Sequence, residues 1–116
     1  MYVLREPSTW DFEKSGHGGK RFASGDLVAR SAYLILSIEG ALDRVLKQTE
    51  CDFVYYVTRG SGTFRIAGEE EDVSLGDLVV VPAGTAFTYR GDMTLLLIAT
   101  PPWSEEQEVD LGASGW

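Results

Sequence analysis

Histidine and cysteine, two common metal ligands, are scarce in this chain of 116 residues. It contains one histidine, His17, and one cysteine, Cys51. A first-row metal ion in a protein needs three or four nitrogen, oxygen or sulfur ligands that converge on one point. A three-histidine site within one chain is therefore excluded, and a lone cysteine excludes an internal disulfide.

Long hydrophobic runs and an excess of positive charge are also missing. No stretch approaches the roughly 18 apolar residues of a transmembrane helix. Ten basic residues against 18 acidic ones give a net charge of −8. Such a surface repels phosphate backbones and anionic lipids, so nucleic acid and membranes are poor partners. The N-terminus lacks the layout of a signal peptide, and we expect a cytoplasmic protein.

The chain is rich in alternating β-branched and aromatic residues, and 44% of its residues are apolar. This alternation predicts strands at residues 31–39, 53–58, 63–67, 78–81, 86–89 and 94–100. The sequence RGSG at residues 59–62 is expected to form a hairpin turn, and the acidic residues 68–72 a second, solvated turn. Short strands separated by glycine-rich turns indicate an all-β sandwich or barrel.

The expected organisation is a single domain with two irregular flanks. Residues 1–25 are expected to form an N-terminal arm with the first strands, and its segment 7–20 to be a loop. Residues 26–102 are expected to form the barrel. Residues 103–116 are expected to be an acidic C-terminal tail, with a possible helical turn that begins at Ser104.

Two glycine-anchored segments carry a family resemblance. Residues 76–91, GDLVVVPAGTAFTYRG, resemble the second cupin motif, G(x)5PxG(x)2H(x)3N, with matches at Gly76, Pro82 and Gly84. The strand-turn sequence that contains Gly60 resembles the end of the first cupin motif, G(x)5HxH(x)3-4E(x)6G. The resemblance covers about residues 30–102 and implies an all-β double-stranded β-helix, or jelly-roll barrel.

The positions at which cupins carry metal ligands hold other residues here. The histidine position of the second motif is Phe87, and the glutamate position of the first motif is Phe53. The two remaining histidine positions fall on Lys47 and Thr49, or, with the longer motif spacing, on Leu46 and Gln48. The resemblance therefore implies the scaffold without a metal or other cofactor. This argues against dioxygenase chemistry, which needs a redox centre.

If Phe53 and Phe87 point inward, alternation places further residues around a barrel pocket. The predicted lining is Lys47, Thr49, Cys51, Phe53, Tyr55, Thr85, Phe87 and Tyr89. An apolar cavity with a few polar groups is the usual form of a small-molecule site. The alternative is that the same aromatic rings fill the barrel as a closed core.

Four residues are weak candidates for catalysis, and each has a structural alternative. Lys47 is a possible base if it is desolvated, although a lysine at a strand end commonly extends to water. Tyr55 and Tyr89 could donate protons to a developing oxyanion, or serve as core tyrosines. His17 could act as an acid or base, or be a turn residue in its glycine-rich segment.

Two function hypotheses follow. The first is a metal-independent cupin that binds a small organic ligand, carbohydrate-like or aromatic, with acid–base isomerase, epimerase, cyclase or lyase activity. The second is a non-catalytic binding or sensing module. Because cupins commonly pair through a sheet, the resemblance also implies a homodimer. The identity of the ligand does not follow from the sequence.

Overall fold

Strands account for nearly all regular structure in the computed structural model, which describes residues 2–14, 16–25 and 27–116. The strands are β1 (Phe12–Lys14), β2 (His17–Arg21), β3 (Ala32–Ala41), β4 (Arg44–Gln48), β5 (Asp52–Ile66), β6 (Glu69–Ser74), β7 (Leu78–Val81), β8 (Phe87–Thr100) and β9 (Glu108–Ala113). A short 3-10 helix, Glu105–Gln107, precedes β9. Within the described ranges, no helix has the length and apolar character needed to cross a membrane. The expected boundary at residue 26 falls outside the described residues.

Two long strands, β5 and β8, organise the sheet. They pair antiparallel with each other along most of their length. Strand β8 also pairs with β3, and the sheet continues from β3 through β2 to β1. Strand β5 carries β6 and β7 on its other edge, while β4 joins β8 to β9. The sheet curls around one core, which confirms the predicted all-β jelly-roll architecture.

Strict alternation decides which side chains form the core. In β3, Leu34, Leu36 and Ile38 are buried, whereas Tyr33 and Ile35 lie on the outer face. The inner residues of β5 and β8 belong to the same buried cluster. Since successive strand residues point to opposite faces, one register fixes the whole inner lining.

The hairpin predicted at residues 59–62 is absent, because β5 continues through this segment. Its glycines permit close strand approach instead. A Cβ on Gly60 would lie 2.1 Å from the Asp92 carbonyl oxygen, and one on Gly62 would lie 2.4 Å from that of Arg90. The chain reverses later, at Ala67 and Gly68, whose φ angles of 51° and 82° suit a two-residue hairpin turn. The acidic residues expected in a turn therefore belong to β6.

Both flanks join the sheet. The segment expected to be a loop supplies β1 and β2, because aromatic rings replace the missing side chains of two glycines in β2. A Cβ on Gly19 would lie 2.3 Å from the Phe12 ring. The segment expected to be a tail supplies β9. Its final residue, Trp116, stacks between the guanidinium groups of Arg65 and Arg90, 4.0 and 4.1 Å from its ring centroid.

Candidate functional site

A cavity of about 320 Å³ lies inside the curled sheet. Its apolar wall is formed by Leu34, Leu36, Leu46 and Leu97, together with four aromatic residues of β5 and β8. Its mouth is formed by residues that precede the barrel or follow it, namely Asp11, Lys14, Arg21, Trp103 and Glu105. The two flanks of the chain therefore build the entrance to a cavity whose floor belongs to the central strands.

The floor of the cavity is a cluster of aromatic rings in mutual contact. Phe53 and Phe87 meet edge to face with ring centroids 6.0 Å apart. Phe64 fills the space behind the cavity and packs 5.2 Å from Tyr55 and 5.3 Å from Tyr89. Such aromatic pairs are favourable beyond their burial, by about 0.5–1.5 kcal/mol each. The rings thus fill one part of the barrel and line the rest.

Two phenol groups border the cavity. Burial raises the pKa of Tyr55 well above its usual value, and the nearby Tyr89 and Glu108 add to the effect. Burial also raises the pKa of Tyr89, again with a contribution from Glu108. Both hydroxyls therefore stay protonated at neutral pH, and they can act as hydrogen-bond donors but not as bases.

His17 reaches the cavity from β2. It lies opposite Ile38 of β3 in register, which turns its side chain toward the interior. Its imidazole contacts the Tyr89 ring edge to face at 5.7 Å and the Phe12 ring at 5.4 Å. An imidazole therefore lies beside a phenol at the cavity wall, in a segment that was expected to be a loop.

Another polar feature of the cavity is a side-chain pair between β4 and β9. Gln48 and Glu108 are cross-strand partners, and the Gln48 Nε2 donates a hydrogen bond of 3.1 Å to the Glu108 Oε1. The Lys14 Nζ lies 3.7 Å from the other carboxylate oxygen of Glu108. Gln48 is only 3% exposed. The pair links both flanks of the chain to the interior.

The structure brings five of the predicted site residues together. His17, Phe53, Tyr55, Phe87 and Tyr89 all line the cavity.

Four other predicted pocket residues lie elsewhere. In β4, Leu46 and Gln48 point inward, so Lys47 lies on the outer face and cannot act as a base in the cavity. Thr49 is exposed just after β4. The reason is that the longer motif spacing applies, and a shift of one residue reverses every side chain of a strand.

Cys51 and Thr85 also lie outside the cavity lining. The Cys51 thiol is buried and donates to the Pro101 carbonyl oxygen at 2.9 Å. Burial raises its pKa, which disfavours the reactive thiolate. Thr85 is half-buried in the turn before β8, where its N–H donates to the Pro82 carbonyl oxygen at 3.2 Å.

Sequence reasoning missed the residues that the flanks contribute. Glu108, Lys14 and Arg21 line the cavity because β9, β1 and β2 join the sheet. Gln48 appeared only through the alternative motif spacing. One signal was available for β2, since His17 and Arg21 are four residues apart and would share one face of a strand, but paired glycines usually indicate a turn.

Comparisons with known proteins give no family model and no curated protein that matches the chain. Solved structures do match. A histidine-to-glutamine variant of Streptomyces Pac13 with uridine has a TM-score of 0.87 at 23% identity, over 97% of this chain and 92% of that one. Ectoine synthase from P. lautus has a TM-score of 0.71 at 17% identity, over 91% and 86%. This chain has a cupin-like barrel fold.

Other solved cupin-fold structures extend the range of neighbours. KdgF from Halomonas sp. has a TM-score of 0.68 at 20% identity, over 84% of this chain and 89% of that one. A second solved structure is that of Pac13, which is described as a nucleoside dehydratase. It has a TM-score of 0.86 at 22% identity, over 97% of this chain and 92% of that one. At these identities the likeness concerns the fold.

The cupin metal position does not fit a metal ion in this chain. Its four ligand positions carry Leu46, Gln48, Phe53 and Phe87, all of which line the cavity. Among them, Gln48 alone offers a ligand atom, a neutral amide oxygen. In the described part of the chain, no group of three or more His, Cys, Asp or Glu side chains is placed to hold a metal ion.

Proposed function

We propose that this protein binds a nucleoside-like small molecule in its barrel cavity. The observation that carries the proposal is a cavity of about 320 Å³ with aromatic walls and polar groups at defined points. Ligand pockets typically measure about 300–1,000 Å³ and have this mixed character. The complex of Pac13 with uridine supports a ligand of this class, in which a planar ring is joined to a polyhydroxylated sugar.

The charges at the cavity favour an uncharged ligand. Asp11, Glu105 and Glu108 contribute three carboxylates to the lining, against the two cations of Lys14 and Arg21. The chain as a whole carries a net charge of −8. A phosphorylated ligand would be repelled by the excess of carboxylates in the lining and by the negative net charge of the chain. A nucleoside therefore suits the cavity better than a nucleotide.

The chemistry we propose is acid–base catalysis without a metal. Imidazole exchanges protons near neutral pH, so His17 is the proposed base. The protonated hydroxyls of Tyr55 and Tyr89 are the proposed donors to an oxyanion that forms when a proton is removed next to a carbonyl group. Isomerisation, epimerisation and elimination of water all proceed in this way, and the description of Pac13 as a nucleoside dehydratase favours elimination.

The alternative is a non-catalytic binding or sensing module. The apolar part of the lining favours it, because four leucines and four aromatic rings form most of the cavity wall and activate no group for catalysis. In that case the cavity holds the same ligand without turnover.

Calorimetric titration with uridine tests the binding proposal. We expect saturable binding by the wild-type protein. Replacement of Leu46 by Phe should abolish it, because Leu46 lines the cavity and the larger ring occupies the ligand's space. The matched control is Leu111→Phe on β9, where Leu111 is 49% exposed and the change should leave binding intact. Absence of binding to wild-type protein, or equal binding by both variants, would refute the proposal.

Turnover separates the catalytic proposal from the alternative. Nucleosides whose sugar carries a carbonyl group should lose water or isomerise in the presence of the wild-type protein, as followed by mass spectrometry and NMR. The His17→Gln variant should bind these compounds and leave them unchanged. Binding without conversion by the wild-type protein would favour the sensing module.

Two features of assembly and location belong to the same proposal. We propose a homodimer, because the outer face of β5 and β7 exposes Tyr56, Leu78 and Val80 by 43%, 61% and 51%. We also propose a cytoplasmic protein, as the composition indicates. Sedimentation and fractionation of the native protein test these two points.

A further inference from the structure

One buried hydrogen-bond acceptor at the cavity wall is unsatisfied. The Gln48 Oε1 has no hydrogen-bond partner within the described residues, although the side chain is only 3% exposed. Leaving a buried acceptor without a donor is costly, so most buried polar groups are paired. Gln48 also lines the cavity. Gln48 is thus a residue of the cavity wall that carries an unpaired acceptor.

The orientation of this amide is fixed by its neighbour. A carboxylate accepts hydrogen bonds and cannot donate them, so the amino group of Gln48 must face Glu108. The bond of 3.1 Å between the Gln48 Nε2 and the Glu108 Oε1 has this polarity. The carbonyl oxygen is therefore directed away from Glu108. Register maintains the arrangement, because the two residues are directly opposite each other on β4 and β9.

Glu108 is itself held in place. The Lys14 Nζ lies 3.7 Å from the Glu108 Oε2, on the side that Gln48 does not use. A rotation of the carboxylate would break this contact together with the bond to Gln48. Lys14, Glu108 and Gln48 thus form a chain of contacts that ends in the unpaired oxygen.

We propose that the Gln48 Oε1 accepts a hydrogen bond from an N–H or O–H group of the bound nucleoside, and that Glu108 is the positioning residue that fixes its direction. This inference rests on the proposed function and names its specificity determinant. The expected ligand is a neutral molecule that presents a hydrogen-bond donor to the part of the cavity wall formed by β4. A site built to accept from a ligand donor discriminates strongly against analogues that lack it, because its own polar group is then left unpaired.

Calorimetric titrations with uridine and four analogues test the proposal. 3-Methyluridine, 2′-deoxyuridine, 3′-deoxyuridine and 5′-deoxyuridine each lack one of the four donors of uridine. We expect the wild-type protein to bind one of them about 10- to 100-fold more weakly than uridine. In the Gln48→Met variant, which keeps the side-chain length without the acceptor, that difference should disappear. If every analogue shows the same relative affinity in both proteins, the proposal is wrong.

The chain offers a matched control in Gln107. It is also a buried glutamine, 4% exposed, and its Oε1 likewise has no partner within the described residues, but it does not line the cavity. Gln107→Met should alter stability without changing discrimination among the analogues. Equal loss of discrimination in both variants would assign the Gln48→Met effect to general destabilisation and overturn the proposal.

The positioning role of Glu108 has its own readout. In Glu108→Gln the residue can either donate or accept, so the Gln48 amide is free to turn over. We expect this variant to lose discrimination among the analogues while its melting temperature stays close to that of the wild type. A change in melting temperature with full discrimination would show a merely structural role.

Failure of the proposed function would appear as absence of uridine binding to the wild-type protein. The Gln48 inference is then tested by NMR with 2-pyrrolidone and N-methyl-2-pyrrolidone, which differ by one donor. The side-chain amide signals of Gln48 should shift with 2-pyrrolidone and not with its methylated form. Equal responses, or none, would refute the inference about Gln48.

Discussion

At the scale of single residues, alternation within a strand was predictable, whereas spacing between motif positions was not. Phe53 and Tyr55 are two residues apart on one strand and therefore share a face, and both line the cavity as expected. Lys47 was placed in the pocket by counting through a segment of variable length, and the count was off by one residue. Glu108 could not be predicted, because its position depends on pairing with a strand 60 residues away.

Ionisation of the buried tyrosines gives a prediction at this scale. Burial raises the pKa of Tyr55 and that of Tyr89 above the value of 10.0 that a free tyrosine has. Above about pH 10 the unfolded chain releases these protons while the folded protein keeps them, so folding stability is full below that pH and falls as pH rises. The loss approaches about 1.4 kcal/mol per pH unit for each tyrosine.

Urea denaturation between pH 9 and 11 measures this effect. The Tyr55→Phe and Tyr89→Phe variants should each show a shallower fall in unfolding free energy than the wild type. Tyr2, which is 86% exposed, supplies the control, and Tyr2→Phe should leave the slope unchanged. Parallel pH profiles for all four proteins would show that the two phenols are not protected in the folded state.

At the scale of strands, the glycines of β5 show where local sequence misleads. Gly60 and Gly62 read as a hairpin turn, yet they lie within one strand beside β8. Local turn preference was overridden by a tertiary contact, since a Cβ on Gly91 would also lie 2.5 Å from the Gly62 Cα. Strand β9 was missed for a related reason, because its pairing with β4 makes it a strand.

Replacement of Gly62 by alanine tests the close approach of β5 and β8. The added Cβ would lie 2.4 Å from the Arg90 carbonyl oxygen, which is backbone and cannot move without displacing β8. We expect a loss of about 1–3 kcal/mol in unfolding free energy, typical of overpacking. Gly25→Ala is the control, since nothing lies within 4 Å of its Cβ position. Equal stabilities of the two variants in urea would contradict this account of the strand contact.

At the scale of the whole molecule, the fold was predictable, and the proposed assembly rests on the outer surface of the sheet. The cupin motifs implied the jelly-roll barrel, which the structure has. On the outer face of the sheet, half-buried apolar residues of β3, β5 and β8 lie next to the exposed residues Tyr56, Leu78 and Val80. A broad apolar sheet face of this kind is typical of an interface between subunits.

Mutation of that face tests the homodimer. We expect the wild-type protein to sediment as a dimer, and the double variant Tyr56→Glu and Val80→Glu to sediment as a folded monomer. A charge introduced at the centre of an apolar interface must lose its hydration when the subunits associate. This desolvation penalty is expected to exceed the free energy that the interface contacts contribute. Leu111→Glu is the control, since Leu111 is exposed on β9, and this variant should remain a dimer. A monomeric wild-type protein at micromolar concentration would refute the proposed assembly.

We propose that aromatic and aliphatic side chains at the cupin metal position make a cavity for an organic ligand. A crystal structure of the purified protein grown with uridine, with anomalous data collected for metals, tests it most directly. We predict a nucleoside in contact with Leu46, Phe53 and Phe87, and no anomalous peak among these residues. An ion bound between β4, β5 and β8, or a barrel closed by its own side chains, would contradict the claim.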